Sequence, residues 1–197
     1  MKALPILKAS VLIDGQWGST GKGLLAAYLA SRGPIDLATT NASANAGHTT
    51  VFENGEKLVC YHLPTSGVLC PHSTVYLNAG SIIDPELLFV EIGSSGISRS
   101  RVFIHPNAAV ILPEDRAPEA ARTSGATSIG STQKGVGAAL ARKLSRGPLG
   151  TIQQAVQEGV VHLPSGVTIK AIPLPDYLER QPPGKGRMLV EVPQGSD

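Results

Sequence analysis

Short apolar runs alternate along the chain with glycine- and proline-rich breaks, and the lengths of the runs predict two kinds of element. Residues 9–14 (ASVLID) form a short apolar run with β-branched members, bounded by Gly15, which predicts a buried strand. Glycines crowd residues 15–23, and 24–31 then read as a helix that stops at Gly33-Pro34. Residues 35–40 predict a second strand. The stretches 50–53 and 57–63 predict a hairpin closed by Asn54-Gly55, a strong short turn signal. A short central strand is expected at 75–77. A helix is expected at 85–92, with Asp84 as N-cap and Pro85 at the first helical position. Further on, 101–105 predicts a strand, 113–122 a helix, 130–137 a second glycine loop, and 138–144 and 151–159 two helices. From 163 to 186 proline, glycine and charge predict a loop, before a closing strand at 188–192 (MLVEV). Strand, glycine loop and helix in that order open an α/β fold, here expected with a mainly parallel central sheet.

Composition changes this picture little. A chain of 197 residues holds one domain, or one domain and part of a second. Hydrophobic residues make up 42% and charged residues 16%, the balance of a globular chain. With aromatics at 4%, the core must come from Ala, Val, Leu and Ile. A net charge of +2 gives no case for nucleic-acid or membrane binding. No run approaches the ~20 apolar residues of a membrane span, and residues 1–10 lack the separate apolar stretch and cleavage site of a signal peptide. Cys60 and Cys70 have no metal-type spacing and read as reduced thiols, so the expected location is the cytoplasm.

The chemistry begins at the first glycine loop, Gly15-Gln16-Trp17-Gly18-Ser19-Thr20-Gly21-Lys22-Gly23. Glycines at a helix start let backbone N–H groups converge on an anion, and the helix dipole adds partial positive charge. Lys22, expected to be solvated, supplies a full charge for phosphates. The ordinary phosphate loop is G-x-x-x-x-G-K-[ST]. Here five residues separate Gly15 from Gly21, and Gly23 replaces the hydroxyl residue that holds magnesium.

The loop resembles the phosphate loop of adenylosuccinate synthetases, GQWGDEGKG. Five later stretches agree with the same family in order. Asn45-Ala46-Gly47-His48-Thr49 is similar to its NAGHT segment, and Leu63-Pro64-Thr65-Ser66-Gly67 with Asn78-Ala79-Gly80 to its LPSG and GNG stretches. Gly130-Ser131-Thr132-x-Lys134-Gly135-x-Gly137 resembles its IGTTGRGIGP loop, and Val190-Glu191-Val192-Pro193-Gln194-Gly195 its EGAQG segment.

The resemblance implies a two-step ligation. The γ-phosphate of a nucleoside triphosphate (ATP, dATP or GTP) moves to O6 of a 6-oxopurine nucleotide, and the amine of L-aspartate then displaces it. Such a reaction needs fixed cations and dipoles around the moving phosphoryl group. By the resemblance Ser19, Thr20, Gly21, Lys22 and Gly23, with Gly47, His48 and Thr49, bind the nucleotide phosphates. Lys22 and His48 are catalytic, His48 standing where the family places its general acid. Ser19 and the carbonyl of Gly47 occupy the positions of Mg2+ ligands. Ser19, Asn45, Ser131, Thr132, Arg146 and Gln194 match positions that bind the purine monophosphate. Arg146 matches an arginine that reaches the neighbouring subunit's monophosphate, which implies a homodimer, although Gly147 replaces the second arginine often found beside it. The resemblance also implies that residues 1–197 are the N-terminal part of a longer α/β domain, whose later portion supplies the aspartate loop. His62, His72, His105 and His162 read as ordinary core or surface histidines, and Arg142 and Lys143 as a solvated face.

One departure bears on the substrate. Where the family has GDEG this chain has Gly18-Ser19-Thr20-Gly21. A serine hydroxyl is a poor base without a partner and a weak metal ligand. The exchange is similar to the phage branch that makes 2-aminoadenine nucleotides from dGMP instead of IMP, and Ser19 counts as a catalytic position on that reading. A shorter serine leaves room for the 2-amine of guanine and accepts a hydrogen bond from it. Two alternatives stay open: a synthetase still using IMP, and a nucleotide-binding module without catalysis.

Overall fold

A computed structural model describes residues 8–13, 15, 20–52, 54–116, 132–172 and 186–192. Its centre is a six-stranded sheet in which every pairing is parallel. The strands are β1 (Lys8–Leu12), β2 (Leu37–Thr40), β5 (Thr74–Leu77), β7 (Val102–Ile104), β9 (Thr168–Ile169) and β10 (Arg187–Glu191), in the order β1-β10-β2-β5-β7-β9. The central strands β2 and β5 are buried almost throughout, as parallel strands covered on both faces are. A hairpin, β3 (His48–Val51) and β4 (Lys57–Cys60), turns at Gly55. A second small sheet pairs β6 (Ile82–Ile83) with β8 (Ala109–Val110).

The described helices include α1 (Lys22–Ser31), α2 (Thr65–Leu69), α3 (Pro85–Ser95), α4 (Val136–Leu144) and α5 (Ile152–Gln157). Asp84 caps α3 as expected, accepting from the N–H groups of Glu86 and Leu87. Thr151 caps α5 in a reciprocal box with Gln154. The main core lies where β5, β7 and β8 meet α3 and α5, and includes Val75, Leu77, Ile83, Leu88, Ile92, Val102, Ile104, Val110 and Ile152. A smaller cluster of Ala26, Ala30, Ile35, Ala38, Cys70 and Leu189 seats α1 on the other end of the sheet.

Most predicted elements are present with ends moved by a few residues. The first strand starts at Lys8, α1 begins at Lys22 rather than Leu24, and β3 begins at His48 rather than Thr50. The loop expected at 163–186 contains β9, which pairs with β7. Residues 117–122 of the helix predicted at 113–122 lie outside the described residues. Both cysteines are free and buried, as expected of reduced thiols.

The register puts the strand ends in one row. Leu12 stands opposite Glu191, Glu191 opposite Thr40, Thr40 opposite Leu77, Leu77 opposite Ile104, and Ile104 opposite Ile169. The chain leaves each strand at this carboxyl edge, where open α/β sheets bind their ligands.

Candidate functional site

Three loops leave that edge side by side. After Leu12 the chain reaches Gly21 and α1; after Thr40 it reaches Asn45–His48; after Leu77 it reaches Asn78-Ala79-Gly80. Parallel pairing thus gathers segments that are far apart in sequence.

Gly21 is the residue before α1 and has φ +80°, the left-handed region that glycine enters without strain. Gly135 precedes α4 with nearly the same geometry, φ +81°. Neither helix has a side-chain cap or an acidic residue in its first turn. Both glycine loops therefore end in a helix start whose local field favours an anion.

Gly23 shows why this loop has glycine where ordinary phosphate loops have a hydroxyl. A Cβ at Gly23 would stand 2.7 Å from the Cβ of His48 and 3.3 Å from its Cα. The backbone of α1 therefore lies directly on β3, and the residue after Lys22 touches His48. The packing thus sets the residue next to Lys22, one of the predicted catalytic residues, against His48, another.

Lys22 is not solvated as its role in the sequence suggests: it is buried, because α1 is wedged against α2 and β3. Burial pushes its pKa below the ordinary lysine value, and Glu191 opposes that shift. His48 is half-buried, and its pKa is also lowered, first by burial and then by the Lys22 charge, with Glu91 pulling the other way. Both causes favour the neutral imidazole when no ligand is bound.

The second glycine loop meets the Asn45 segment. The hydroxyl of Thr132 donates to Oδ1 of Asn45, so two residues expected on the monophosphate touch each other. Beside them Lys134 donates to the carbonyl of Ala44 at 2.7 Å and lies 4.6 Å above the ring of Tyr61. The edge of that ring backs Gly47, whose added Cβ would be 3.0 Å from Tyr61 Cε1. Thr49 is exposed on β3. Ser19, Ser131 and Gln194 lie outside the described residues.

Arg146 stands apart from this cluster. It is exposed just past the end of α4, with φ +56°. Arg142 and Lys143 are not the solvated face that their charge suggests. Arg142 pairs with Asp115 and donates to the carbonyl of Val110 at 2.6 Å, and Lys143 donates to the carbonyl of Ala79 at 2.5 Å. Both tie α4 to the sheet.

Two carboxylates stand out that the sequence reading assigned no role. Glu191 is 2% exposed and accepts from the N–H groups of Thr65 and Ser66 at 3.2 and 2.9 Å, and from the Ser66 hydroxyl at 2.5 Å. Its signal in sequence is one acid inside the apolar run MLVEV. Glu91, on α3, accepts from the N–H groups of Tyr61, His62 and Leu63. Its Oε2 is 3.3 Å from Nδ1 of His62, while Nε2 of His62 accepts from the N–H of Asp84. That bond places the His62 proton on Nδ1, so His62 is a satisfied core histidine, as expected. Among the described residues no group of three or more His, Cys, Asp or Glu side chains is placed to hold a metal, and no helix is long and apolar enough to cross a membrane. A cavity of about 450 Å³ lies elsewhere, between α3 and Val160–His162.

A family model described as adenylosuccinate synthetase matches residues 11–159. The N6-succino-2-amino-2'-deoxyadenylate synthase of Salmonella phage PMBT28 is 42% identical over 144 residues, covering 72% of this chain and 38% of that protein. The same enzyme of Cyanophage S-2L is 38% identical over 161 residues, covering 80% and 43%. The adenylosuccinate synthetase of Bifidobacterium adolescentis (strain ATCC 15703 / DSM 20083 / NCTC 11814 / E194a) is 37% identical over 142 residues, covering 69% and 32%. Among solved structures, the Cyanophage S-2L succinoaminodeoxyadenylate synthetase bound to dGMP and dATP as an energy donor superposes with a TM-score of 0.80 at 34% identity, over 96% of this chain and 52% of that one. The chain thus spans less than half the length of these curated relatives.

Proposed function

The chain belongs to the adenylosuccinate synthetase family, and from that premise we propose that it is part of a ligase that joins L-aspartate to C6 of dGMP. The phosphoryl donor is a nucleoside triphosphate and the product N6-succino-2-amino-2'-deoxyadenylate. The observation that carries this reading is the contact of α1 with His48 at Gly23, which sets Lys22 beside the imidazole at the carboxyl edge of the sheet. Lys22 and the start of α1 hold the triphosphate, a charge that repays the burial of the lysine. Asn45 and Thr132 hold the monophosphate nucleotide across from them. His48, held toward its neutral form when the site is empty, faces the phosphoryl group that moves to O6; the anionic charge arriving there raises its affinity for a proton, and it donates to the transferred phosphoryl oxygen.

The residues present fit magnesium only in part. The described residues offer the Gly47 carbonyl and no carboxylate cluster, so Mg2+ would be held chiefly by triphosphate oxygens and water, a mode common for this ion. When bound, it neutralises charge on the transferring phosphates.

The choice of dGMP over IMP rests on Ser19 and on the phage relatives, whose names carry that product. A 2-amine with a buried partner in guanine, and a partner left unpaired in hypoxanthine, differ by about 1–3 kcal/mol. That is roughly 5–150-fold in rate or affinity. The test is steady-state phosphate release with L-aspartate, dATP or ATP, and dGMP or IMP in turn. We expect dGMP to be preferred and Ser19→Asp to move the ratio toward IMP. Preference for IMP, with a ratio unmoved by Ser19→Asp, overturns this choice.

Assembly as a homodimer, with Arg146 of one protomer reaching the monophosphate of the other, is part of the same proposal. The exposed Arg146 at the end of α4 supports it.

A further inference from the structure

Tyr61 follows β4 directly, and its neighbour Cys60 stands opposite His48 across the hairpin. The N–H of Tyr61 donates to Oε1 of Glu91 at 2.9 Å, and Glu91 is buried on α3. The backbone of Tyr61 is therefore tied to the core, while its side chain meets two segments of the candidate site. A Cβ added at Gly47 would stand 3.0 Å from Cε1 of the ring, 3.4 Å from Cζ and 3.5 Å from Cδ1, so the ring closes directly on that backbone. The ammonium of Lys134 lies 4.6 Å from the ring centroid, inside the ~6 Å reach of cation–π attraction. Lys134 also donates to the carbonyl of Ala44 at 2.7 Å, and Thr132, two residues earlier, donates to Asn45. One ring thus touches both the Asn45–His48 segment and the second glycine loop, which are distant in sequence.

We propose that Tyr61 is a positioning residue of the nucleotide site: its ring holds the Gly47 backbone and the Lys134 ammonium against one surface, and so sets the spacing of the two loops before a nucleotide arrives. This rests on the reading of Asn45 and Thr132 as residues that hold the monophosphate. Apparent affinity falls with the fraction of molecules whose loops are in the competent arrangement. A tyrosine suits the task because its ring is rigid, with few torsions to freeze, and presents a π face to a cation. A leucine in its place would still fill space beside Gly47 but would offer the ammonium no such face.

The contact has its own signature in the ligand-free chain. Protons held over an aromatic face are shifted upfield, so the ε-methylene of Lys134, assigned with Lys134→Arg, should resonate upfield of the other lysines by NMR. The shift should persist in Tyr61→Phe and vanish in Tyr61→Leu; Tyr61→Met carries the test if Tyr61→Leu does not fold. Isothermal titration with dGMP then measures what the contact does. Tyr61→Phe should bind as wild type does, and folded Tyr61→Leu about 2–30-fold more weakly, the span of a cation–π contact from exposed to desolvated. Lys134→Met should cost less affinity in the Tyr61→Leu background than alone, because the two side chains act as a unit. An unshifted Lys134 signal, or a folded Tyr61→Leu that binds dGMP as tightly as wild type, overturns the proposal. A loss as large in Tyr61→Phe as in Tyr61→Leu also overturns it, since the hydroxyl and not the ring face would then matter. If wild type binds neither dGMP nor IMP while the Lys134 signal still responds to Tyr61, the functional reading fails and the link between the loops stands.

Discussion

The two ends of the sheet are built to different standards. Around β5, β7 and α3 the side chains Val75, Leu77, Ile83, Leu88, Val102 and Ile104 are fully buried, and the buried polar groups are matched to each other. His62 shows this best, with one ring nitrogen against Glu91 and the other taking the N–H of Asp84. Around β1, α1 and β3 the core cluster is smaller and half alanine, and Val11, Ile13, Leu24 and Tyr28 are each more than half exposed, as Phe89 and Val90 are on the outer face of α3. The histidine there, His48, is half-buried beside a lysine, and both have pKa values lowered by burial. The first end spends its polar groups on its own structure. The second holds charge in an environment that disfavours it, the condition under which an arriving phosphate gains most.

Breaking the comparison is simplest with one truncation at each end. Lys22→Ala should lower turnover of the assembled enzyme by ~10²–10³-fold or more, while stability changes by about 1 kcal/mol. Leu88→Ala should do the reverse, costing about 2–5 kcal/mol of stability and leaving the nucleotide KM of the folded fraction unchanged. Urea unfolding and phosphate release on both variants check this. Unfolding by Lys22→Ala, with Leu88→Ala neutral, would invert the assignment of the two ends.

The same contrast explains what was legible in the sequence. Elements with local signals were readable: Asn54-Gly55 closes the β3–β4 hairpin, and Asp84-Pro85 starts α3. Helix α2 was not, because its first N–H groups are satisfied by Glu191, more than a hundred residues later. Strands β6, β8 and β9 are two residues long, too short for any periodicity to show. At the site, Lys22, His48, Asn45 and Thr132 were found by motif, and the fold sets Gly23, the residue after Lys22, against His48 and Thr132 against Asn45. The burial of Lys22, and the inward ties of Arg142 and Lys143, depend on tertiary packing that no spacing encodes.

A glycine in each end sharpens the comparison further. Gly23→Ala puts a Cβ 2.7 Å from that of His48, with two backbone atoms of His48 within 3.4 Å, so β3 must shift. Overpacking of this kind costs about 1–3 kcal/mol. A displacement of His48 approaching 1 Å should lower turnover by up to about 10²-fold. Gly93, in α3, has nothing within 4 Å of an added Cβ. Gly93→Ala should therefore stabilise the protein by about 0.5–1 kcal/mol, the helical gain of alanine over glycine. Thermal melts of the two variants should move in opposite directions, and only Gly23→Ala should lose phosphate release. Equal and small effects would remove the close approach of α1 to His48 from the mechanism.

The smallest expected effect concerns Arg146, where stability and function are set against each other at one residue. Its φ of +56° places a side-chain-bearing residue in the left-handed region just past α4, a position usually filled by glycine. That conformation costs an L-residue roughly 1–2 kcal/mol. A glycine removes this strain but carries about 0.5–1 kcal/mol of extra conformational entropy in the unfolded chain. Arg146→Gly should therefore leave stability unchanged or raise it by up to about 1 kcal/mol. If an arginine is kept here only as a solvated helix-end charge, nothing else should change. If its side chain serves the monophosphate of a second protomer, the variant should keep its fold while KM for dGMP rises and the dimer seen by sedimentation weakens. An arginine retained against its own backbone preference then marks a functional constraint. Unchanged KM and unchanged sedimentation, in a protein that melts at or above the wild-type temperature, would return Arg146 to the surface and remove it from the site.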